Sequence, residues 1–394
     1  MSGSPLTISV ELPEGFAAAP QLLALGGELK SSICLIHDGI AQLSEPIGDL
    51  EQEAVYRHFC ASVETVLAKP DCKPEQIVID RHPDYLSAKY GQQLARKTTL
   101  PVQQIQHHYA HIAAVMADNA LPMDSKPVLG IALDGLGFGE DGTIWGGEFL
   151  LADYQGFQRL GHFQPVAMIG GAAAIHEPWR NTLAHLLPIW NEVNTAFADT
   201  DIMRFLSDKP VAMLQSMVAS GVNAPLASSC GRLFDGVAAA VGLYRDKVAF
   251  EAQAAIALEK AATTCFDQET THYNYKISEE NECLQLDWQA MWLDLLKDIQ
   301  NGSGTESIAA RFHRTLIHAL NETTVRLCSE HGIDTVALSG GVFQNRLIST
   351  HLPQALQQKG LAVLQHRQAP GHDGGICLGQ AIVAAAKQMK DKTT

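Results

Sequence analysis

Two kinds of apolar patterning alternate along the chain. Short continuous apolar runs bounded by Gly or Pro predict buried strands, and longer stretches with apolar positions three and four apart predict helices. LLALGGELKSSICLIHDGIAQL (22–43) reads as strand, turn, strand, turn, strand, with Gly26 and Gly27 at the first reversal. EQEAVYRHFCASVETVLA (51–68) carries helical periodicity, IVID (77–80) is a short buried strand, and RHPDYLSAKYGQQLARK leads from a Pro turn into a helix. Another helix covers about 106–119. VLGIALDGLGFGEDGTIWGGEFLLAD (128–153) again reads strand, Gly-rich turn, strand, an echo of 22–43 that points to a duplicated unit. Residues 176–220 are mainly helical, opened by HEPWRN. Helices follow at 230–243, 250–264 and 308–332, the last ending at a Gly. Between them, 266–306 is polar and irregular except for an amphipathic stretch at DWQAMWLDLLKDI. TVALSGGVFQNRLI (335–348) is strand, Gly-Gly turn, helix; LAVLQH (361–366) is a strand and GGICLGQAIVAAAKQM (374–389) a closing helix. Such alternation predicts an α/β fold with two lobes, preceded by a loose arm over the small residues and prolines of 1–20.

Composition narrows the function classes. A chain of 394 residues, 46% hydrophobic, supports two cores rather than one. A net charge of −15 argues against a general nucleic-acid surface but leaves room for a small anion held by backbone amides. Eight cysteines without a CxxC pair suggest neither a disulfide framework nor a thiolate zinc site, and fit a reducing, cytoplasmic compartment. No signal peptide or membrane-spanning apolar stretch is apparent.

The candidate chemistry begins at QHHYAHIAA. In a helix, His107 and His111 stack their imidazoles on one face. With a distant carboxylate such as Asp373 in PGHDGG, they form a common recipe for a first-row transition metal. Ala110, Ala113 and Ala114 let another element approach that helix, and His108 should point away. Asp134 falls where a buried strand is expected to end, a typical ligand position in α/β sheets. Three Gly turns, DGLGFGEDG with Gly135 and Gly137, SGGVFQN with Gly340 and Gly341, and GHDGG, each read singly as plain turns; together they favour a nucleotide cleft whose backbone amides meet phosphate. No Walker A lysine motif is present. Asn345 opens a helix, suited either to adenosine or phosphate contact or to a simple first-turn role. Asp235, in the apolar RLFDGVAAAVG, needs a partner, either a ribose hydroxyl or the helix dipole. Trp179, Arg180 and Asn181 read as a capped helix start with its Trp in the core, and Cys377 as a small packed residue. No Ser/His/Asp or Cys/His nucleophile stands out.

Taken in order, HHYAHIAAVMADNAL, LGIALDGLGFGEDGTIWGGEFL, EPWRN, SSCGRLFDGVAA, FEAQAAIALE, ALSGGVFQNRLI and HDGGICLGQA resemble the C-terminal transferase module of the HypF family, the hydrogenase-maturation carbamoyltransferases. The module is also similar to the tRNA threonylcarbamoyl-adenosine transferases. The resemblance implies a two-lobed fold like that of actin, sugar kinases and heat-shock ATPases, built from duplicated RNase H-like lobes. Lobe I would cover 21–126 with the closing helix 376–390; lobe II would cover 127–375, including a helical insertion at about 166–230. It further implies transfer of carbamoyl from ATP-derived carbamoyl-adenylate to the C-terminal Cys thiol of the partner HypE, the precursor of the cyanide ligands of the NiFe centre. One Fe or Zn ion would be held by His107, His111, Asp134 and Asp373, acting as a Lewis acid. Nucleotide contacts would fall on Gly135, Gly137, Asp235, Gly340, Gly341 and Asn345. A nucleophile supplied by the partner accords with finding none here. Neither a membrane nor nucleic acid is an expected partner. In full HypF chains an acylphosphatase-like domain, CxxC zinc sites and a YrdC-like domain precede this module, so a separate adenylate-forming partner is implied. Ala252 stands where the family usually has Gly. The competing readings are a tRNA threonylcarbamoyl transferase, disfavoured by the acidic charge and by EPWRN and FQNR, and a catalytically weak HypF-like binding or regulatory protein.

Overall fold

The computed structural model describes residues 4–392. Its first sheet contains β1 (Leu6–Glu11), β2 (Leu22–Ala24), β3 (Cys34–His37), β4 (Ile40–Ser44), β5 (Gln76–Asp80) and β6 (Val102–Ile105) in the order β1-β4-β3-β2-β5-β6. β2, β3 and β4 form an antiparallel meander, while β5 and β6 run parallel to β2. Parallel neighbours need crossovers, and α1 (Glu53–Leu67) and α2 (Leu86–Thr98) supply them. Phe59, Val63 and Val66 of α1 and Ala88, Leu94 and Ala95 of α2 share one core with Leu23, Leu25, Ile77 and Ile79. The expected loose arm is corrected: β1 pairs with β4 and Phe16 is fully buried. Ile8 and Val10 face one core, whereas a register shift between Leu6 and Ile8 turns Leu6 to the core under α1 and α2. Residues 1–3 of that arm lie outside the described residues.

After α3 (His107–Asp118) the pattern repeats. β7 (Val128–Phe138), β8 (Ile144–Ala152) and β9 (Phe157–Phe163) form a second meander. A long excursion follows, through β10 (Val166–Ala167), α4 (Ala173–His176), α5 (Trp179–Leu186), α6 (Trp190–Ala196), α7 (Asp201–Ser207), α8 (Val211–Ser220) and β11 (Leu226–Ala227). The chain continues through α9 (Cys230–Ala240), α10 (Gln253–Thr263), the hairpin β12 (Lys276–Glu280) and β13 (Cys283–Asp287), α11 (Gln289–Gln300) and α12 (Thr305–His331). It ends with β14 (Thr335–Ser339), α13 (Arg346–Gln358), β15 (Ala362–Leu364) and α14 (Ile376–Asp391). β14 and β15 run parallel to β7, so β9-β8-β7-β14-β15 reproduces β4-β3-β2-β5-β6. The echo between 22–43 and 128–153 is therefore a structural duplication, two RNase H-like halves with insertions in the second.

Two expectations about strands change. The stretch 266–306 is not irregular: β12 and β13 form a hairpin about Asn281 and Glu282, both at positive φ, and β13 extends the second sheet beside β9. β7 does not stop at Asp134 but continues to Phe138, with a register shift against β8 between Leu133 and Gly137. Asp134 thus sits at an irregularity inside the strand, where the bent backbone re-aims its side chain.

The last helix of each half lies on the other half's sheet. α3 packs on β7, β8 and β14, α14 packs on β2, β3 and β5, and the two helices press against each other between the sheets. The approach is close because a Cβ at Gly379 would overlap the carbonyl oxygen of Ala110. The small residues of α3 serve the predicted purpose, and α14 is the element they admit. Gln380 grips both backbone groups of Gly26 (2.9 and 3.2 Å), fixing the Gly-Gly turn against α14. Among the described residues, no helix is long and apolar enough to cross a membrane.

Candidate metal centre and adjoining cleft

The crossing of α3 and α14 brings His107 and His111 beside Asp373 and, from β7, Asp134. One ligand atom from each lies within 4.8 Å of the others. α3 starts at His107 because Gln106 caps it, accepting from Tyr109 N at 2.7 Å. His107 Nδ1 donates to Asp80 Oδ2 at the end of β5 (2.9 Å), which turns Nε2 toward Asp134 Oδ2 at 3.3 Å. His111 Nδ1 lies 3.1 Å from Ser339 Oγ at the end of β14. Its Nε2, 3.3 Å from Asp134 Oδ2 and 3.6 Å from Asp373 Oδ1, is buried without a properly aligned hydrogen bond. Asp134 Oδ1 accepts from Gly135 N (2.8 Å) and Gly341 N (3.3 Å), leaving Oδ2 for the centre.

These residues fit a metal ion. Two imidazoles and two carboxylates suit Fe or Zn, and the backing of each imidazole by an outer hydrogen-bond partner is typical of metal-binding histidines. The orphaned His111 Nε2 is a buried polar atom that a cation at the centre would satisfy. Electrostatics agree. Burial alone would lower the pKa of His107, but Asp80, Asp134 and Asp373 outweigh it and hold it well above the usual imidazole range. His111 is raised against the same burial by Asp134 and Asp373. Burial pushes Asp134 up, yet His107 and His111 hold it well below the usual carboxylate range. Three carboxylates thus converge on a site that favours positive charge, whether proton or metal.

A cavity of about 320 Å³ opens directly over Asp134 and Asp373. Of the residues expected to contact nucleotide, Gly135, Asp235, Gly341 and Asn345 line it; Gly137 and Gly340 do not. Gly137 lies under the imidazoles, where a Cβ would meet the rings of His108 and His107. Gly340 has φ +108° and passes so close to Leu133 that a Cβ would overlap its carbonyl oxygen. The amides of Gly135 and Gly341, expected to face phosphate, are instead spent on Asp134. Within the protein, Asp235 pairs with Arg232 at 2.7 Å, while burial, against that cation, pushes its carboxyl up to about 6. Asn345 is the cap of α13, accepting from Leu347 N and Ile348 N, with Nδ2 3.0 Å from His313 Nε2.

Other readings hold. Trp179 packs in the core behind its Pro178 cap, Arg180 pairs with Glu177, and Asn181 Nδ2 donates to Ala174 O. Cys377 is buried against Ser32. His108 is off the centre, its ring near Trp145, and burial keeps it neutral.

Several residues at the site escaped the sequence reading. Asp80 ends the apolar strand IVID, the same signal used for Asp134, and was legible. Lys30, paired with Glu251 at 2.8 Å across the cavity wall, and Arg232 bring cations that no motif announced. Ala252 lines the cavity at φ +61°, a backbone conformation that favours Gly.

With two RNase H-like halves about a cleft and a metal-type group on its floor, the molecule has the Kae1-like form of the actin-type ATPase fold. Residues 130–380 match the family model described as carbamoyltransferase, Kae1-like domain, second subdomain, and residues 17–118 match the HypF Kae1-like domain. The chain belongs to the HypF carbamoyltransferase family. It is 36% identical to the carbamoyltransferase HypF of Rhodobacter capsulatus over 96% of its own length and 48% of that relative. It is also 36% identical to a carbamoyltransferase HypF homolog of Cupriavidus necator, there over 95% of its length and 93% of the relative. A solved structure of full-length HypF in the phosphate- and nucleotide-bound form superposes with a TM-score of 0.85 at 31% identity, over 97% of this chain and 47% of that one. The T. kodakarensis HypF structure gives a TM-score of 0.83 at 28% identity, over 97% of this chain and 49% of that one. The chain spans about half the length of most curated relatives it matches.

Proposed function

We propose that this chain is a cytoplasmic carbamoyltransferase that moves carbamoyl from carbamoyl-adenylate to the C-terminal Cys thiol of HypE. The observation that carries this reading is the sharing of Asp134 and Asp373 between the metal-type group and the cavity floor. A nucleotide in the cavity would have its phosphate end beside those carboxylates, and Lys30 and Arg232 are the lining cations suited to that anion. Asp235 and Asn345 add polar groups beside the apolar Phe234, Phe250, Ala255, Ile256 and Val342 of the wall. His107, His111, Asp134 and Asp373 would hold one Fe or Zn ion, which supplies Lewis-acid polarisation and charge neutralisation when bound. In the transfer, a C–S bond forms as the C–O bond to the adenylate phosphate breaks, AMP departs and the thiol proton passes to solvent. The name of the nucleotide-bound HypF structure and the family membership support the nucleotide part of this reading.

The test is to mix the purified chain with preformed carbamoyl-adenylate and HypE and follow HypE by mass spectrometry. One added carbamoyl group on the C-terminal peptide, with AMP released, is expected. An unmodified HypE under those conditions refutes the transfer. Threonylcarbamoyl transfer to tRNA, disfavoured by a net charge of −15, would show instead as tRNA modification.

A further inference from the structure

Behind His111 runs a line of hydrogen-bonding groups that returns to the helix on which it began. Ser339, fully buried at the end of β14, holds its Oγ 3.1 Å from His111 Nδ1 and 2.9 Å from His366 Nε2. His366 follows β15, and its Nδ1 lies buried 3.6 Å from Asp118 Oδ2, too long for a hydrogen bond, with no other partner. Asp118 is the last residue of α3 and is anchored by the backbone amides of Arg367, Gln368 and Ala369. One helix therefore carries the imidazole at one end of the line and the carboxylate at the other.

The chemistry of the ends sets the direction. Asp118, an ionised carboxylate, only accepts. At 3.6 Å that carboxylate favours a proton over a lone pair on the nitrogen facing it, so His366 carries its proton on Nδ1 and presents a lone pair at Nε2. Ser339 donates its single proton to that lone pair, and its oxygen accepts from His111 Nδ1–H. His111 is left with Nε2, aimed at Asp134 and Asp373, as the atom open to a proton or a metal ion. We propose that Ser339 and His366 are positioning residues that, through this one-way chain ending on Asp118, fix the tautomer and ring orientation with which His111 faces a metal ion. The inference rests on the metal reading above and deepens it: His107 obtains the same control directly from Asp80.

The test uses the full chain with Co²⁺ as probe, its affinity read by competition with a chromophoric chelator, and two-bond ¹H–¹⁵N spectra of histidine-labelled protein. Ser339→Ala and His366→Phe should each weaken Co²⁺ about tenfold or more, the scale typical of outer-shell changes. In the wild type the spectra should place the single proton of His366 on Nδ1; a proton on Nε2 instead overturns the direction of the line. His366→Gln, whose amide oxygen can accept from Ser339, should recover most of the affinity, and this comparison holds even if Ser339→Ala folds poorly. Wild-type Co²⁺ binding with unchanged affinity in the folded His366→Phe variant overturns the chain and leaves the metal reading standing. No Co²⁺ binding by the wild type overturns both.

Discussion

The metal-type centre and the cavity above it share two residues but are built differently. At the centre three of the four donors have a second partner assigned: Asp80 behind His107, Ser339 behind His111, and two amides behind Asp134. The cavity wall is looser, with an exposed Phe250 and Ile256 at its rim, the ion pairs Lys30–Glu251 and Arg232–Asp235 along it, and an Ala in a left-handed conformation. The difference teaches where affinity and adaptability reside. Preorganised donors select an ion; a wall of mixed apolar and polar residues accommodates a larger ligand and its departure.

The sharpest way to break the comparison is to remove a donor. His107→Ala or Asp134→Asn should abolish stoichiometric metal in the purified protein, measured by atomic emission, while far-ultraviolet dichroism stays native. Asp80→Asn retains all four donors, so its loss should be graded, about 10–100-fold in metal affinity by chelator competition. If Asp80→Asn binds as tightly as wild type, the centre is no better preorganised than the wall.

The two regions also bury histidine in opposite ways. His313, behind the Asn345 wall, is pushed down to about 4 by burial, as His185 is to about 3, whereas the centre's imidazoles are raised. A histidine with a depressed folded pKa contributes stability above its unfolded value of about 6.5, lost as pH falls through the folded value. His313 should therefore cost on the order of 3 kcal/mol of stability between pH 6.5 and 4. His313→Gln should flatten that part of a curve of unfolding free energy against pH; an unaltered slope would remove His313 from the account. The smallest effect is expected at the wall itself. Ala252→Gly relieves a positive φ and should stabilise by about 1 kcal/mol in urea unfolding. A destabilisation there would show that the methyl packs usefully.

Legibility in the sequence followed the range of the interaction. The hairpin at β12 and β13 was hidden because its edge strand KISEE is charged and half exposed, which erases the apolar alternation. Asp134 was found, but its strand was ended too early, since a register shift leaves no mark in composition. Arg232 as the partner of Asp235 was legible in the sequence, since residues three apart on a helix are neighbours. Ser339 and His366 bear no local signal at all.

What the chain alone determined is what repeats over a few residues: the i, i+4 pair of imidazoles, the small residues of α3, the alternation of strands and helices, and the ordered motifs of a HypF-type module. What only the tertiary structure decided is which carboxylates those imidazoles meet. Asp80, Asp134 and Asp373 are far apart in sequence, and they converge because the last helix of each half crosses to the other sheet and α14 packs against Ala110 through Gly379. Helical spacing is a property of one backbone, whereas that crossing is set by burial between two sheets, a quantity no single segment contains.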